Sequence, residues 1–134
     1  MQKKIIIAGI ISGVVISGFE YLIFGILMKP VFADYATKGL MEIEGKPFGA
    51  IHYGLQILLG FPVVYFYSIA SKSFKRSPGS TIFIGLLAGV FCLSITTALY
   101  TFYNLGTIIP VVISIDKLIE CIFCCFIASL FIKN

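Results

Sequence analysis

The chain has no tryptophan, a single histidine and few charges: only 12% of its 134 residues are Asp, Glu, Lys or Arg. A soluble globular domain carries about 25%. With 59% hydrophobic residues and a mean hydropathy of +1.05, this shortage excludes a water-soluble core. It equally excludes a disordered chain. One histidine, His52, excludes haem ligation by two histidines. No basic run exceeds two residues, so the net charge of +4 forms no nucleic-acid surface. A Gly-rich phosphate loop, a nucleophile elbow and a zinc-protease motif are all missing. The expected protein is therefore not an enzyme and needs no cofactor or metal.

What is present is four apolar runs, each near the ~20 residues that cross roughly 30 Å of hydrocarbon. They cover about 5–28, 47–70, 80–103 and 108–132. The first follows Lys3-Lys4 but is too long for the apolar part of a signal peptide, so it is read as a retained helix. The expected fold is all-α: an integral-membrane four-helix transmembrane bundle, one domain over 1–134, with an outer loop at about 29–46. Lys46-Pro47 suits the start of the second helix. Ser77-Pro78-Gly79-Ser80 makes a turn, with Ser80 or Thr81 as cap of the third helix. Asn104-Leu105-Gly106 ends that helix. Pro62 is expected to kink the second.

Orientation follows from the loop cations. Lys3, Lys4, Lys72, Lys75, Arg76 and Lys133 fall on one side, against Lys29, Lys38 and Lys46 on the other. Asp34, Glu42 and Glu44 balance the second group. Both termini are expected in the cytoplasm, in a bacterial inner membrane. Tyr35, Tyr53, Tyr100 and Tyr103 would then lie near the outer interface, and Tyr65 and Tyr67 near the inner one.

Small residues form stripes: Gly9, Gly13 and Ser17 on the first helix, Gly85 and Gly89 on the third. Such stripes let helix backbones approach closely, either within this bundle or against another protein's helix. No internal repeat supports an inverted-repeat transporter.

Intramembrane polar groups are costly and mark interiors, cavities or partners. Glu20 lies deep in the first helix, with His52 and Lys117 as candidate partners. His52 and Gln56 are four apart and share a face, as do Asp116 and Glu120. Lys117 is three from Glu120, and Thr97, Tyr100 and Thr101 make the third helix polar toward its end. All of these fall in the outer half of the expected membrane. An outward-opening pocket, a docking surface for a partner's polar residues, or a fourth helix starting near Ser114 with Lys117 reaching the interface would each explain that. A glutamate in the first of four helices is similar to the small multidrug transporters, whose tight loops and surrounding motif this chain lacks.

Cys121-Ile-Phe-Cys124-Cys125 holds a CxxC spacing inside an apolar run. A CxxC in the fourth of four helices resembles the vitamin K epoxide reductase fold. That fold shuttles electrons through a second cysteine pair in an outer loop, and the 30–46 loop has no cysteine. These thiols are expected to pack rather than react. Neither His52 nor Cys92 completes a metal set with them.

The opening Lys-Lys, the Ala8-Gly9 to Gly13 stretch, Gly18-Phe19-Glu20-Tyr21 leading to Phe24-Gly25, Gly85 to Gly89, and an acidic fourth helix ending in Lys133 cover most of the chain. In this layout the chain resembles a loose group of small uncharacterised four-span bacterial membrane proteins. The resemblance implies a fold and no mechanism. The leading expectation is a small non-catalytic subunit packed into a larger membrane complex, with lipid and other subunits as partners. The alternative is a small transporter or ligand-binding protein with an acidic intramembrane pocket. Such a pocket would carry about two negative charges and so take a cation or a proton.

Overall fold

The computed structural model describes residues 2–37, 48–101 and 108–132, the side chains of 32, 35–37, 48–52 and 95–101 excepted. The chain is all-helical over these residues: α1 (Gln2–Glu20), a π-helical segment (Tyr21–Leu27), α2 (Lys29–Thr37), α3 (Phe48–Ala70), a 3-10 turn (Ser71–Ser73), α4 (Pro78–Thr101) and α5 (Ile108–Phe131).

The first apolar run begins at Gln2, earlier than expected, and does not stay α-helical to its end. After Glu20 it widens into π-helix, closed where the Met28 N–H donates to the Ile23 carbonyl, 2.7 Å away. The segment expected as a loop from about 29 holds a further helix, α2, with Pro30 in its first turn, where a missing N–H is harmless. Residues 38–47 of that segment, and the Asn104–Thr107 connection, lie outside the described residues.

The cap of α4 is Ser77 rather than Ser80 or Thr81. Pro78 takes the first helical position, so the residue before it must cap. Ser77 Oγ accepts the Ser80 N–H and Ser80 Oγ accepts the Ser77 N–H, each at 3.1 Å. Thr81 adds a bond from its hydroxyl to the Ser77 carbonyl at 3.1 Å. Pro62 sits inside α3 without ending it.

α1, α3, α4 and α5 run antiparallel to their main neighbours. Gly13 of α1 meets Ile57 of α3, and Ser17 meets Tyr53. Ser12 of α1 meets Cys124 of α5. Gly85 and Gly89 of α4 meet Ile122 and Leu118 of α5. α1 packs chiefly on α3 and then α5; α4 packs on α5 and barely touches α3. One end of the bundle therefore gathers Lys3, Lys4, Lys72, Lys75 and Arg76. There Arg76 Nη2 donates to the Ser129 carbonyl near the end of α5, 3.0 Å away.

Two apolar clusters form the interior. The larger, toward the basic end, joins Ala8, Ile16, Val64, Ile84, Ala88 and Ala128 with Cys121, Cys124 and Cys125. The smaller, at the other end, joins Met28, Ile109 and Ile113. The charges of α5 lie between them. Outside, the pattern of a soluble protein is inverted: within 5–28, 53–71, 78–94 and 108–132 every exposed position is uncharged. Among the described residues two helices, against the four expected, are long and apolar enough to cross a membrane, Gln2–Leu27 and Tyr53–Ser73, with a shorter apolar stretch at Pro78–Ser94.

Candidate functional site

Three helices deliver charged or polar groups to one point in the bundle. Glu20 is the last α-helical residue before the π segment, Gln56 lies on α3, and Asp116, Lys117 and Glu120 occupy one turn of α5. Wider π segments recur at functional sites, where they redirect the side chains around them. Glu20, Asp116, Lys117 and Glu120 are all buried, none more than 5% exposed.

Lys117 organises the cluster. Its ammonium donates to the Glu20 carboxylate, to Glu120 Oε2 at 2.8 Å and to Gln56 Oε1 at 3.2 Å. An ammonium has three hydrogens, and these partners use them all. Asp116 Oδ2 stands 4.0 Å from Nζ, an ion-pair distance without a hydrogen bond. Both Asp116 oxygens and Glu120 Oε1 are buried with no hydrogen-bond partner. One oxygen from each of Glu20, Asp116 and Glu120 lies within 4.8 Å of the others. Among the described residues no other three acidic, histidine or cysteine side chains bring ligand atoms so close.

The chemistry follows from that count. Three carboxylates face one ammonium, which leaves two negative charges unbalanced if all are ionised. Removing a charge from water costs several kcal/mol even after relaxation. The balance must come from protons on carboxyl groups or from a bound cation. The donors are carboxylate and amide oxygens, which suit hard cations rather than soft ones.

Of the polar residues expected to cluster, the structure brings together Glu20, Gln56, Asp116, Lys117 and Glu120. Of the two candidate partners of Glu20, Lys117 pairs with it. His52 and Tyr100 lie on α3 and α4, but their side chains are outside the described residues, as are those of Thr97 and Thr101. The small-residue stripes are used within this chain: Gly9, Gly13 and Ser17 face α3, Gly85 and Gly89 face α5. Ser17 Oγ donates to the Tyr53 carbonyl at 3.1 Å, one turn from Gln56. Two contributors escaped the sequence reading. Gly60 of α3 packs directly on the Gly9–Gly13 backbone. Ser12 is fully buried with an unpartnered hydroxyl. A glycine and a serine inside apolar helices were the available signals.

The cysteines are free thiols. Cys121 and Cys124 of the CxxC do not pair with each other. Cys121 Sγ lies 3.9 Å from Cys92 Sγ of α4, and Cys124 points its thiol at the Ser12 carbonyl, 4.0 Å away. A Cys124→Ser chain is expected to keep its fold and melt within a few degrees of the unaltered protein, since a serine hydroxyl can donate to the same carbonyl. Thermal unfolding in detergent reads this directly. The chain matches no protein-family model, no curated protein and no solved structure.

Proposed function

We propose that this is a small integral membrane protein whose four long helices cross the bilayer and whose Glu20–Gln56–Asp116–Lys117–Glu120 cluster takes up a proton or a small cation. In this reading it is a transporter or ion-binding protein and not an enzyme. The observation that carries it is the buried excess of carboxylate over ammonium. Support for the membrane comes from the inverted surface, uncharged outside and charged within. α5 holds three charges, all turned inward, which makes it compatible with lipid on its outer side. The basic end suits the cytoplasm, since short cytoplasmic loops carry the excess of Lys and Arg. The cluster then lies nearer the opposite face.

The facing of the groups favours an ion site over the accessory-subunit reading, in which charged residues would point outward at a partner. Membership of a larger complex remains compatible with an ion site. The particle mass in mild detergent tests it separately, with defined foreign chains as the supporting result.

The ion site is tested on purified protein in weakly buffered detergent with a pH indicator. Sodium, potassium, magnesium and calcium are added singly. Proteoliposomes under a pH gradient form the second arm. A cation that displaces protons saturably, or a gradient that collapses faster than in protein-free vesicles, is the expected result. Glu120→Gln, which still lets Lys117 donate to the side-chain oxygen, is expected to cut either signal at least tenfold. The absence of both signals in the unaltered protein would overturn the proposal.

A further inference from the structure

α3 and α4 follow one another in the chain but diverge. Between them runs an apolar groove of about 710 Å³, lined by Leu59, Pro62 and Phe66 of α3 and Leu87 and Phe91 of α4. Nearer the basic end lies a cavity of about 230 Å³ with different chemistry, where Ser71, Lys72, Arg76 and Ser80 join Tyr67 and the apolar Phe74, Ile84 and Ile132, the last just past the end of α5. The two share no lining residue but follow one another along both helices: Val63 of the groove stands one turn before Tyr67 of the cavity, and Ile84 of the cavity one turn before Leu87 and Ala88 of the groove. The cleft is thus cationic and hydroxyl-lined at its mouth and apolar along its length.

Among the described residues the cations at the mouth have no acidic side chain beside them: the sequence contains no Asp or Glu between Glu44 and Asp116, and Asp116 is buried in the cluster. Lys72 is exposed, with no acidic partner among the described residues. Arg76 uses one nitrogen on the Ser129 carbonyl. That bond holds the guanidinium over the end of α5 and leaves further N–H groups for an anion.

We propose that this cleft binds one anionic phospholipid, with the headgroup phosphate between Lys72 and Arg76 and an acyl chain in the α3–α4 groove. The proposal rests on the membrane reading above but not on the ion site. Charge complementarity selects the headgroup, and basic pockets between helices on the cytoplasmic side are where anionic headgroups bind. Length selects the chain. From Tyr67 to Leu59 is eight residues, about 12 Å of helix, against roughly 15 Å of hydrocarbon in one leaflet. A free phosphate would use the cavity and leave the groove empty.

The test is native mass spectrometry of the full chain in mild detergent, titrated with phosphatidylglycerol, phosphatidylcholine and water-soluble glycerophosphate. One phosphatidylglycerol per chain is expected to survive transfer. Lys72→Gln is expected to weaken it about fivefold, and Lys72→Gln with Arg76→Gln about thirtyfold, following the usual contribution of each cation near anionic lipid. Lys3→Gln with Lys4→Gln removes equal charge at the same end, outside the cleft, and is expected to change nothing. Leu87→Trp, which fills the groove, is expected to weaken the lipid as well. Arg76→Gln also removes the Ser129 bond, so Lys72→Gln alone keeps the test independent of folding. Equal loss in the Lys3–Lys4 variant, equal binding of phosphatidylcholine, or glycerophosphate binding as tightly as the lipid would each overturn the site. A chain that fractionates away from membranes would instead overturn the membrane reading itself.

Discussion

Lys117→Met is expected to be the most damaging single substitution in the chain, lowering stability by about 3–5 kcal/mol. Methionine fills a similar volume, so the loss is electrostatic rather than one of packing. The ammonium supplies hydrogen bonds to Glu20, Glu120 and Gln56 and the positive charge nearest Asp116. Without it, three buried carboxylates face each other with oxygens within 4.8 Å. Total stabilities of about 5–15 kcal/mol leave little margin for such a loss. Thermal unfolding in detergent and the amount of chain accumulating in membranes both measure it. Removing the carboxylates as well should reverse the damage, because replacing a whole buried ionic group is often neutral where breaking it is not. Lys117→Met combined with Glu20→Gln and Glu120→Gln is expected to regain most of the lost stability. Millimolar calcium or sodium should also raise the melting temperature of Lys117→Met more than that of the unaltered protein, since a cation binding only the folded state stabilises it by mass action. Wild-type stability in Lys117→Met would show that the lysine neutralises nothing.

The sequence exposed much of this arrangement, for identifiable reasons. Long apolar runs broken by Pro, Gly and Lys mark the four long helices and the all-α class, but not the fifth helix, α2. The four-residue spacing of Asp116 and Glu120, and the three-residue spacing of Lys117 and Glu120, place all three charges on one turn whatever the helix packs against. That Glu20 could meet Lys117 was legible, with His52 as the other candidate, because a carboxylate deep in an apolar helix needs a cation and few are available. The role of Gln56 within the cluster could not be assigned in the same way, because sharing a face with His52 does not say which helix that face meets. The π segment left no trace either. Tyr21–Leu27 is apolar throughout, and a segment without polar residues has no periodicity from which to tell one helical pitch from another. α2 was hidden by its charges, which read as loop, and the Ser77 cap by reading Ser77-Pro78-Gly79-Ser80 as a turn ahead of the helix rather than as its first turn. Gly60 was overlooked because it stands alone, without a second small residue four positions away to mark a stripe.

Gly60 and Gly13 matter because the site depends on how closely α1 and α3 approach. A methyl group on Gly13 would enter the Ile57 backbone, 2.7 Å from its Cα. One on Gly60 would enter the backbone of Gly13, 2.9 Å from its Cα. Backbone atoms cannot rotate away, so either substitution must push the helices apart, at a cost typical of overpacking, about 1–3 kcal/mol. The displacement should be felt along the same seam, first at Gln56, next to Ile57, loosening its contact with Lys117, and then at the Ser17–Tyr53 bond one turn further on. Gly13→Ala and Gly60→Ala are therefore expected to lower the melting temperature and to weaken ion-dependent proton release together. At Gly9 the obstacle is the Phe61 ring, 2.7 Å away, a side chain that can turn, so Gly9→Ala should cost less. Gly85→Ala meets the Ile122 Cα at 2.6 Å and should destabilise through the α4–α5 seam while sparing the α1–α3 contacts of the site. Gly18 and Gly54 have nothing within 4 Å of an added methyl, and alanine there should be neutral or stabilise by about 0.5–1 kcal/mol through helix propensity. The order of the melting temperatures is the measurement. If Gly13→Ala melted with Gly18→Ala, α1 and α3 would not cross at Gly13, and Gln56 would not be held against Lys117 by that crossing.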